Sequence, residues 1–507
     1  MESPTLSPSI APPVRACFAT TAASSHPRSS RFTMATILKS NATEERKAIH
    51  VAMFPWLPFG HVNPFIQLSN HLAFHDGFKV SFLATRDNIP KIQPLLRFPD
   101  QIGLVPLDVP PPTQIPTSNV DSENLNPDSP IFKLTQLLIA TDSLQAQVET
   151  ALSQLKPDII VYEFVHYIPS MAHALGIKAV FYCVTSATAI AYHLVPACST
   201  HQDLTRPPPG FPPTGVTLRA HEAQQLLFAF VAPEEGIPSL HQRVVMAMKE
   251  ADMIVLKTCG EMESKYCDYI SEQYKKPVVM AGPSLNEPQT DTLDERWVKW
   301  LDRFPVGSVL YCSFGSDGIL SKEELRELLL GLEDSGVPFM AVLKYPKGLT
   351  QEEALPEGLE ERVKERGLIH SGWVQQELIL EHKGVGGYLC HAGFGSVVEA
   401  VANECQLVLL PQKGDQFLNA RLMSRDLKVG VEVERREEDG WFTRESVSKA
   451  VRSVMVDKEG SVGKDVRANH CRLKELLLNK EMKSSYVDQL LQKMRDLVVI
   501  NKEVKKN

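Results

Sequence analysis

Short apolar strands alternate with longer amphipathic helices along most of this 507-residue chain, and the alternation runs twice. The first run opens with "IHVAMF" at Ile49, followed by "NPFIQLSNHLAFH", whose apolar residues recur at i, i+3, i+4 and i+7. It continues through "KVSFLA", "DIIVYE", "KAVFYC", "MIVL" and "PVVMAG". Strands separated by helices pair in parallel, and a parallel sheet must be covered on both faces. At residue 282 the pattern breaks into "GPSLNEPQTDTLDE", which is polar, turn-rich and without period. It then restarts with "SVLYCSF", "PFMAVL", "LIHSG", "VGGYLC", "QLVLLP" and "VGVEVE", and from about Val462 the chain reads as helix. The expectation is an α/β protein of two Rossmann-like, doubly wound domains facing across a cleft. Residues 1–47 form an extension, 48–283 the first domain and 284–507 the second, whose helical end is able to return to the first.

Composition narrows the class. Hydrophobic residues make up 43% and charged residues 22%, as in an ordinary globular protein, and the net charge of −8 argues against a nucleic-acid surface. No apolar run approaches the ~18 residues of a membrane span. Nine cysteines without a CxxC pair point to reduced thiols and no zinc site. Residues 1–33 are rich in Ser, Pro, Ala and Thr and lack an apolar stretch, which excludes a secretory signal. Such a segment suits a disordered extension, an upstream start before Met34 or a plastid transit peptide. The reading is of a cytoplasmic monomer, with the plastid as destination under the third alternative. Two proline-rich stretches, "VPPPTQIP" and "RPPPGFPP", stiffen long loops of the first domain, either as ligand borders or as plain connectors.

Chemistry is concentrated in "CHAGFGSVVEA", residues 390–400. Strand, glycine-rich turn and helix follow one another, the pattern that offers bare backbone N–H groups to an anion at a helix N-terminus. Gly393 and Gly395 with Asp415 twenty residues on mimic a dinucleotide fingerprint, but Val398 stands where its third glycine would be. The wider stretch is more specific. The 44 residues from Trp373 to Gln416 closely resemble the signature box of plant UDP-sugar-dependent glycosyltransferases of small molecules. The resemblance runs from about residue 48 to beyond 455 and implies the GT-B fold. It implies that Trp373 stacks on the uracil, that Val374 binds the base edge through its backbone, and that Gln376 and Glu399 hold ribose hydroxyls. His391, Gly393, Gly395 and Ser396 would surround the pyrophosphate, with Ser316 beyond the strand "SVLYCSF" joining the UDP-sugar contacts. Asp415 and Gln416 would bind hydroxyls of the transferred sugar. With no Asp-x-Asp clamp, the resemblance implies no metal and no cofactor beyond the UDP-sugar co-substrate.

In "FPWLPFGHVNPF", His61 is expected in the turn after the first strand, with Asn63 capping the next helix and Pro64 at its first position. A helix N-terminus nearby disfavours imidazolium and would keep the ring neutral. In similar enzymes this histidine deprotonates the acceptor hydroxyl, whose oxygen displaces UDP with inversion. The family orients it with an aspartate, and here the matching residue is Glu163, one methylene longer, with His166 a nearby competitor. Other departures are Gln375 for Pro, Phe394 for Trp and Gly395 for Asn. The resulting "FGS", with "PQKGDQFLNARL" and "GWFTRESV", resembles the branch that extends sugars already on an aglycone, most commonly on flavonoid glycosides including anthocyanins, often at the 2''-hydroxyl. Terpenoid or saponin glycosides and free aglycones are alternative acceptors. A nucleotide-dependent oxidoreductase and a non-catalytic sugar-nucleotide binder are the rivals of other classes.

Overall fold

The computed structural model describes residues 48–110, 130–199, 203–233, 236–283, 292–315, 318–457 and 460–504. The extension 1–33, most of the stretch "VPPPTQIP" and Ser316 lie outside the described residues.

Two parallel sheets carry the fold. The first comprises β1 (Ile49–Phe54), β2 (Phe78–Thr85), β3 (Ile102–Leu107), β4 (Ile159–Tyr162), β5 (Lys178–Cys183), β6 (Met253–Leu256) and β7 (Val278–Met280) in the order β3-β2-β1-β4-β5-β6-β7. The second comprises β8 (Val309–Ser313), β9 (Phe339–Val342), β10 (Gly367–His370), β11 (Val385–Cys390), β12 (Gln406–Leu409) and β13 (Gly430–Glu432) in the order β10-β9-β8-β11-β12-β13. All pairings are parallel, so each sheet is buried on both faces by helices and its strands read as continuous apolar runs. β3 escapes the periodicity argument because "IGLVPL" contains Pro106. Proline cannot donate to a ladder, and β3 is an edge strand, where it is tolerated.

In both sheets the winding reverses at one place, between β1 and β4 and between β8 and β11. Chains diverge there on opposite faces and leave a crevice beyond the carboxyl ends of the strands, where α/β proteins bind ligands. The first crevice receives helix α1 (Phe59–Phe74), which begins four residues earlier than the expected cap at Asn63. Pro64 is inside the helix rather than at its start, so His61 occupies the first turn and donates its backbone N–H to the Pro58 carbonyl at 2.8 Å. α2 (Ala187–His193), α3 (Ala220–Leu226) and α4 (Gly260–Tyr274) follow in the first domain, and α5 (Phe394–Ala402) and α6 (Gln416–Arg421) flank the second crevice. "RPPPGFPP" seats Phe211 among Tyr192, Tyr266 and Tyr269, with ring centroids 5.4–5.8 Å away.

The last helix, α7 (Lys480–Val504), belongs to the first core. Leu490, Leu491, Met494 and Val498 are buried with residues of β1, β2 and β4. Tyr486 fastens it by accepting from the Gly260 N–H and donating to Glu261, both at 2.8 Å. The domains also meet through a buried ion pair. Both carboxylate oxygens of fully buried Glu222 accept from Arg421 Nη2 at 2.8 and 2.9 Å, and Arg421 reaches Glu432 as well. Removing one partner of such a pair leaves an uncompensated charge in the interior.

Candidate active site

The first crevice holds a histidine–carboxylate pair. Glu163 follows β4, is fully buried, and presents Oε2 to His61 Nδ1 at 2.7 Å. Its other oxygen accepts the Val184 N–H beyond β5 at 2.9 Å. The longer acid thus spans two adjacent strand ends. A carboxylate at Nδ1 requires a proton there, so the lone pair of the neutral ring lies on Nε2. Trp56 and Phe164 wall the ring edge-on, with centroids 5.0 and 5.7 Å from it. Burial works against the imidazolium, but the Glu163 charge and hydrogen bond outweigh it and Asp415 adds to them. His61 therefore titrates above its ordinary value, contrary to the expectation from the helix end alone. His166 pairs with Arg243 instead, Nδ1 to Nη1 at 3.3 Å, and Arg243 is held by both oxygens of Asp142.

The second crevice carries the turn after β11. His391 lies between two glycines. A Cβ at Gly393 would stand 2.6 Å from its Nε2 and one at Gly315 3.1 Å from its Cε1, so neither position accepts a side chain without moving the ring. Ala392 adopts a left-handed φ of 62° and Gly393 opens α5. The helix N-terminus is clear at Gly395, where an added Cβ meets nothing within 4 Å. Trp373 is 83% exposed, which removes the core explanation for this residue and leaves a flat open face. Val374 is buried beside it. Gln376 donates to Glu399 at 3.3 Å and accepts from Tyr388 at 3.2 Å. Burial pushes the Glu399 carboxyl up to about 7, with Glu377 adding to the shift and Lys257 and Gln376 opposing it.

Asp415 and Gln416 open α6. Burial raises the Asp415 carboxyl, against the Asn419 hydrogen bond and the charge of His61. That mutual influence brings the transferred-sugar candidate of one domain into the field of the histidine of the other. Gln416 turns its Oε1 back to the Gln412 and Lys413 N–H groups at 3.0 and 3.1 Å, leaving its amide N–H groups as the available donors. Among the described residues no group of three or more His, Cys, Asp or Glu is arranged to hold a metal ion, and no helix is long and apolar enough to cross a membrane.

A family model described as UDP-glucoronosyl and UDP-glucosyl transferase matches residues 289–466. A cyanidin 3-O-galactoside 2''-O-xylosyltransferase of Actinidia chinensis var. chinensis is 46% identical over 457 residues, covering 89% of this chain and 98% of the relative. The chain belongs to this UDP-glycosyltransferase family. The enzyme is also 42% identical over 462 residues to an anthocyanidin 3-O-glucoside 2''-O-glucosyltransferase of Ipomoea nil, covering 89% and 98% of the two chains. It is 41% identical over 477 residues to an anthocyanidin-3-O-glucoside rhamnosyltransferase of Petunia hybrida, covering 92% and 100%. Its fold is that of Phytolacca americana UGT2, solved with UDP-2fluoro-glucose and pterostilbene, at a TM-score of 0.70 and 23% identity over 89% of this chain and 100% of that one. This is the GT-B architecture.

Three residues take their meaning from the structure, two of them, Lys257 and Trp56, without a sequence signal of their own. Lys257, just past β6, is buried, and burial lowers its ammonium against the pull of Glu399 and Glu377. Trp56 lay inside the quoted "FPWLPFGH" but only its contact with His61 gives it meaning. Gln375, where the family has proline, holds the interdomain segment: its side chain accepts from Asp294 N at 2.8 Å and donates to Thr292 O at 3.1 Å.

Proposed function

We propose that the enzyme moves a sugar from a UDP-sugar to a hydroxyl on the sugar of a flavonoid or anthocyanin glycoside, at the 2''-O position, with inversion. Residues 48–283 serve as the acceptor domain and 284–507 as the donor domain, with the C-terminal helix α7 of the latter packed into the core of the former. The observation that carries the reading is the His61–Glu163 pair at 2.7 Å, lying at one switch point and within the electrostatic reach of Asp415 at the other. The acceptor class is supported by relatives of Actinidia and Ipomoea whose names specify 2''-O transfer to anthocyanin-type glycosides.

The chemistry follows from the geometry. His61 Nε2 takes the proton of the acceptor hydroxyl while Glu163 stabilises the imidazolium that forms. The freed oxygen bonds to the anomeric carbon from the face opposite the nucleotide, and the bond between that carbon and the β-phosphate oxygen breaks. UDP leaves as an anion toward the N–H groups and dipole of the α5 terminus, beside His391 and Ser396. Trp373 stacks on uracil, Val374 meets its edge, Gln376 and Glu399 hold the ribose, and Asp415 with Gln416 holds the sugar being moved.

The three relatives are named for xylosyl, glucosyl and rhamnosyl transfer at 41–46% identity, so overall similarity does not select the donor. A panel of UDP-sugars against flavonoid aglycones and their 3-O-glycosides, read by mass, tests both partners. Mass gain on 3-O-glycosides, with fragmentation assigning the new bond to the first sugar, is expected. Transfer confined to aglycones would overturn the acceptor assignment.

A further inference from the structure

Asn419 is fully buried in α6, and its amide touches the start of its own helix and two other pieces of the molecule. Oδ1 accepts from Ser186 Oγ of the first domain at 2.5 Å. Nδ2 donates to the Ala392 carbonyl at 3.1 Å and to Asp415 Oδ2 at 2.9 Å. A carbonyl and a carboxylate can only accept, so the orientation of the amide is fixed by its partners. Ser186 is also fully buried and is itself held from two sides. Two residues before it, Val184 donates to Glu163; just after it, Ala187 and Thr188 donate their N–H groups to buried Glu263 at 3.2 and 2.8 Å.

From these contacts we infer that Asn419 is a positioning residue for sugar transfer, locking the donor-sugar carboxylate Asp415 and the phosphate turn at Ala392 to the acceptor domain through Ser186. The inference rests on the reading above that Asp415 holds the transferred sugar. The hydrogen-bonded path runs His61–Glu163–Val184, along the chain to Ser186, then Asn419–Asp415. It links the base in one domain to the sugar contact in the other through hydrogen-bonded groups. Ala392 gives the second half of the argument. A left-handed conformation is disfavoured in a residue with a Cβ, so the turn at Ala392 needs a partner, and the bond from Asn419 to its carbonyl holds the turn that aims His391 and the α5 terminus.

A purely structural buried amide would destabilise the fold when removed but would act independently of Asp415. The test is therefore a double-mutant cycle on the full chain with UDP-glucose, or whichever UDP-sugar proves active, as probe. Asn419→Ala is expected to lower kcat/KM by ~10²-fold, the cost of a ~1 Å misplacement. Adding Asn419→Ala to Asp415→Ala should cost well under the ~10²-fold it costs in wild type, because one of the two groups Asn419 positions is already gone and only the Ala392 turn remains to be lost. Ser186→Ala should lower kcat while leaving calorimetric UDP affinity unchanged, since every UDP contact lies in the other domain. Losses that multiply in the double variant, or wild-type kcat/KM in Asn419→Ala, overturn the inference. If Asn419→Ala does not fold, Asn419→Asp keeps the volume and the Ser186 bond but sets a carboxylate against Asp415 and the Ala392 carbonyl. It should lose at least as much activity, and wild-type activity there is equally fatal. A harmless Asp415→Ala sinks the sugar-binding reading itself and is distinguishable from the other results.

Discussion

Replacing Glu163 by Gln would remove the charge beside the proposed base His61 while keeping the size of the side chain. The carboxylate lies 2.7 Å from His61 Nδ1 inside the fold. Opposite charges ~4 Å apart at an effective dielectric of ~20 attract by about 4 kcal/mol, part of which offsets the cost of burying them. In wild type this attraction outweighs burial and holds the His61 pKa above 6.5. The proposed base works unprotonated, so kcat/KM is expected to fall as pH drops through that raised value. With Gln the main raising cause is gone while burial remains, so the acid limb should move to lower pH. The alkaline plateau should fall as well, because the developing imidazolium loses its counter-charge. A general base contributes ~10²–10⁴-fold, and a loss of ~10² is expected from its partner. Glu163→Asp adds a geometric arm. The acid shortens by about one carbon–carbon bond, ~1.5 Å, and can no longer meet both His61 and the Val184 N–H, so it too should lose ~10²-fold. Initial rates between about pH 5 and pH 9 with UDP affinity as control make the measurement. A Gln variant with an unmoved acid limb and a wild-type plateau would refute the dyad.

Trp373→Ala should weaken UDP binding by ~1–3 kcal/mol, the worth of a base–aromatic stack, and leave the melting temperature unchanged because the ring is 83% exposed; an unaltered affinity would remove Trp373 from the site. Glu399, with its carboxyl pushed up to about 7 by burial, should release protons when ribose hydroxyls donate to it. UDP affinity is then expected to rise with pH through that value, and calorimetry near pH 7 should give heats that vary with the buffer's ionisation enthalpy; heats independent of buffer would contradict this. Glu222→Ala leaves Arg421 in the domain interface with Glu432 but without the carboxylate that accepts from its Nη2 and should destabilise the protein, by up to ~3–5 kcal/mol, seen as a lower thermal midpoint; an unchanged midpoint would refute this.

What was legible in the sequence was whatever leaves a local period or a long motif. Both sheets are parallel and buried on two faces, so their strands are unbroken apolar runs that read directly, and the turn after β11 announces itself by its glycines. The start of α1 did not read, because proline at Pro64 marks a first turn on average, yet the helix tolerates it in its sixth position. The direction in which the His61 pKa is displaced was not legible for a similar reason: a helix terminus is a weak field beside a carboxylate in hydrogen-bond contact, and the distance between residues 61 and 163 is not written in either segment.

The exchange of Asp for Glu at the partner position shows what such a departure can and cannot say. From sequence, one additional methylene could only put the hydrogen bond in doubt. In the structure the longer side chain lies where β4 and β5 end side by side, and its second oxygen takes the Val184 N–H. The acid is therefore anchored by the strand that leads to Ser186, and hence to Asn419 in the other domain. Neither Val184 nor Ser186 carries a signal in its own neighbourhood, and Asn419, though inside the quoted "PQKGDQFLNARL", is not singled out by it, since a serine before a helix reads as a cap and an asparagine within one as a surface residue. Their meaning is a property of two chains of residues 233 positions apart meeting at a buried hydrogen bond. The partner of His61 is thus held in place by which strand ends the two crevices bring face to face.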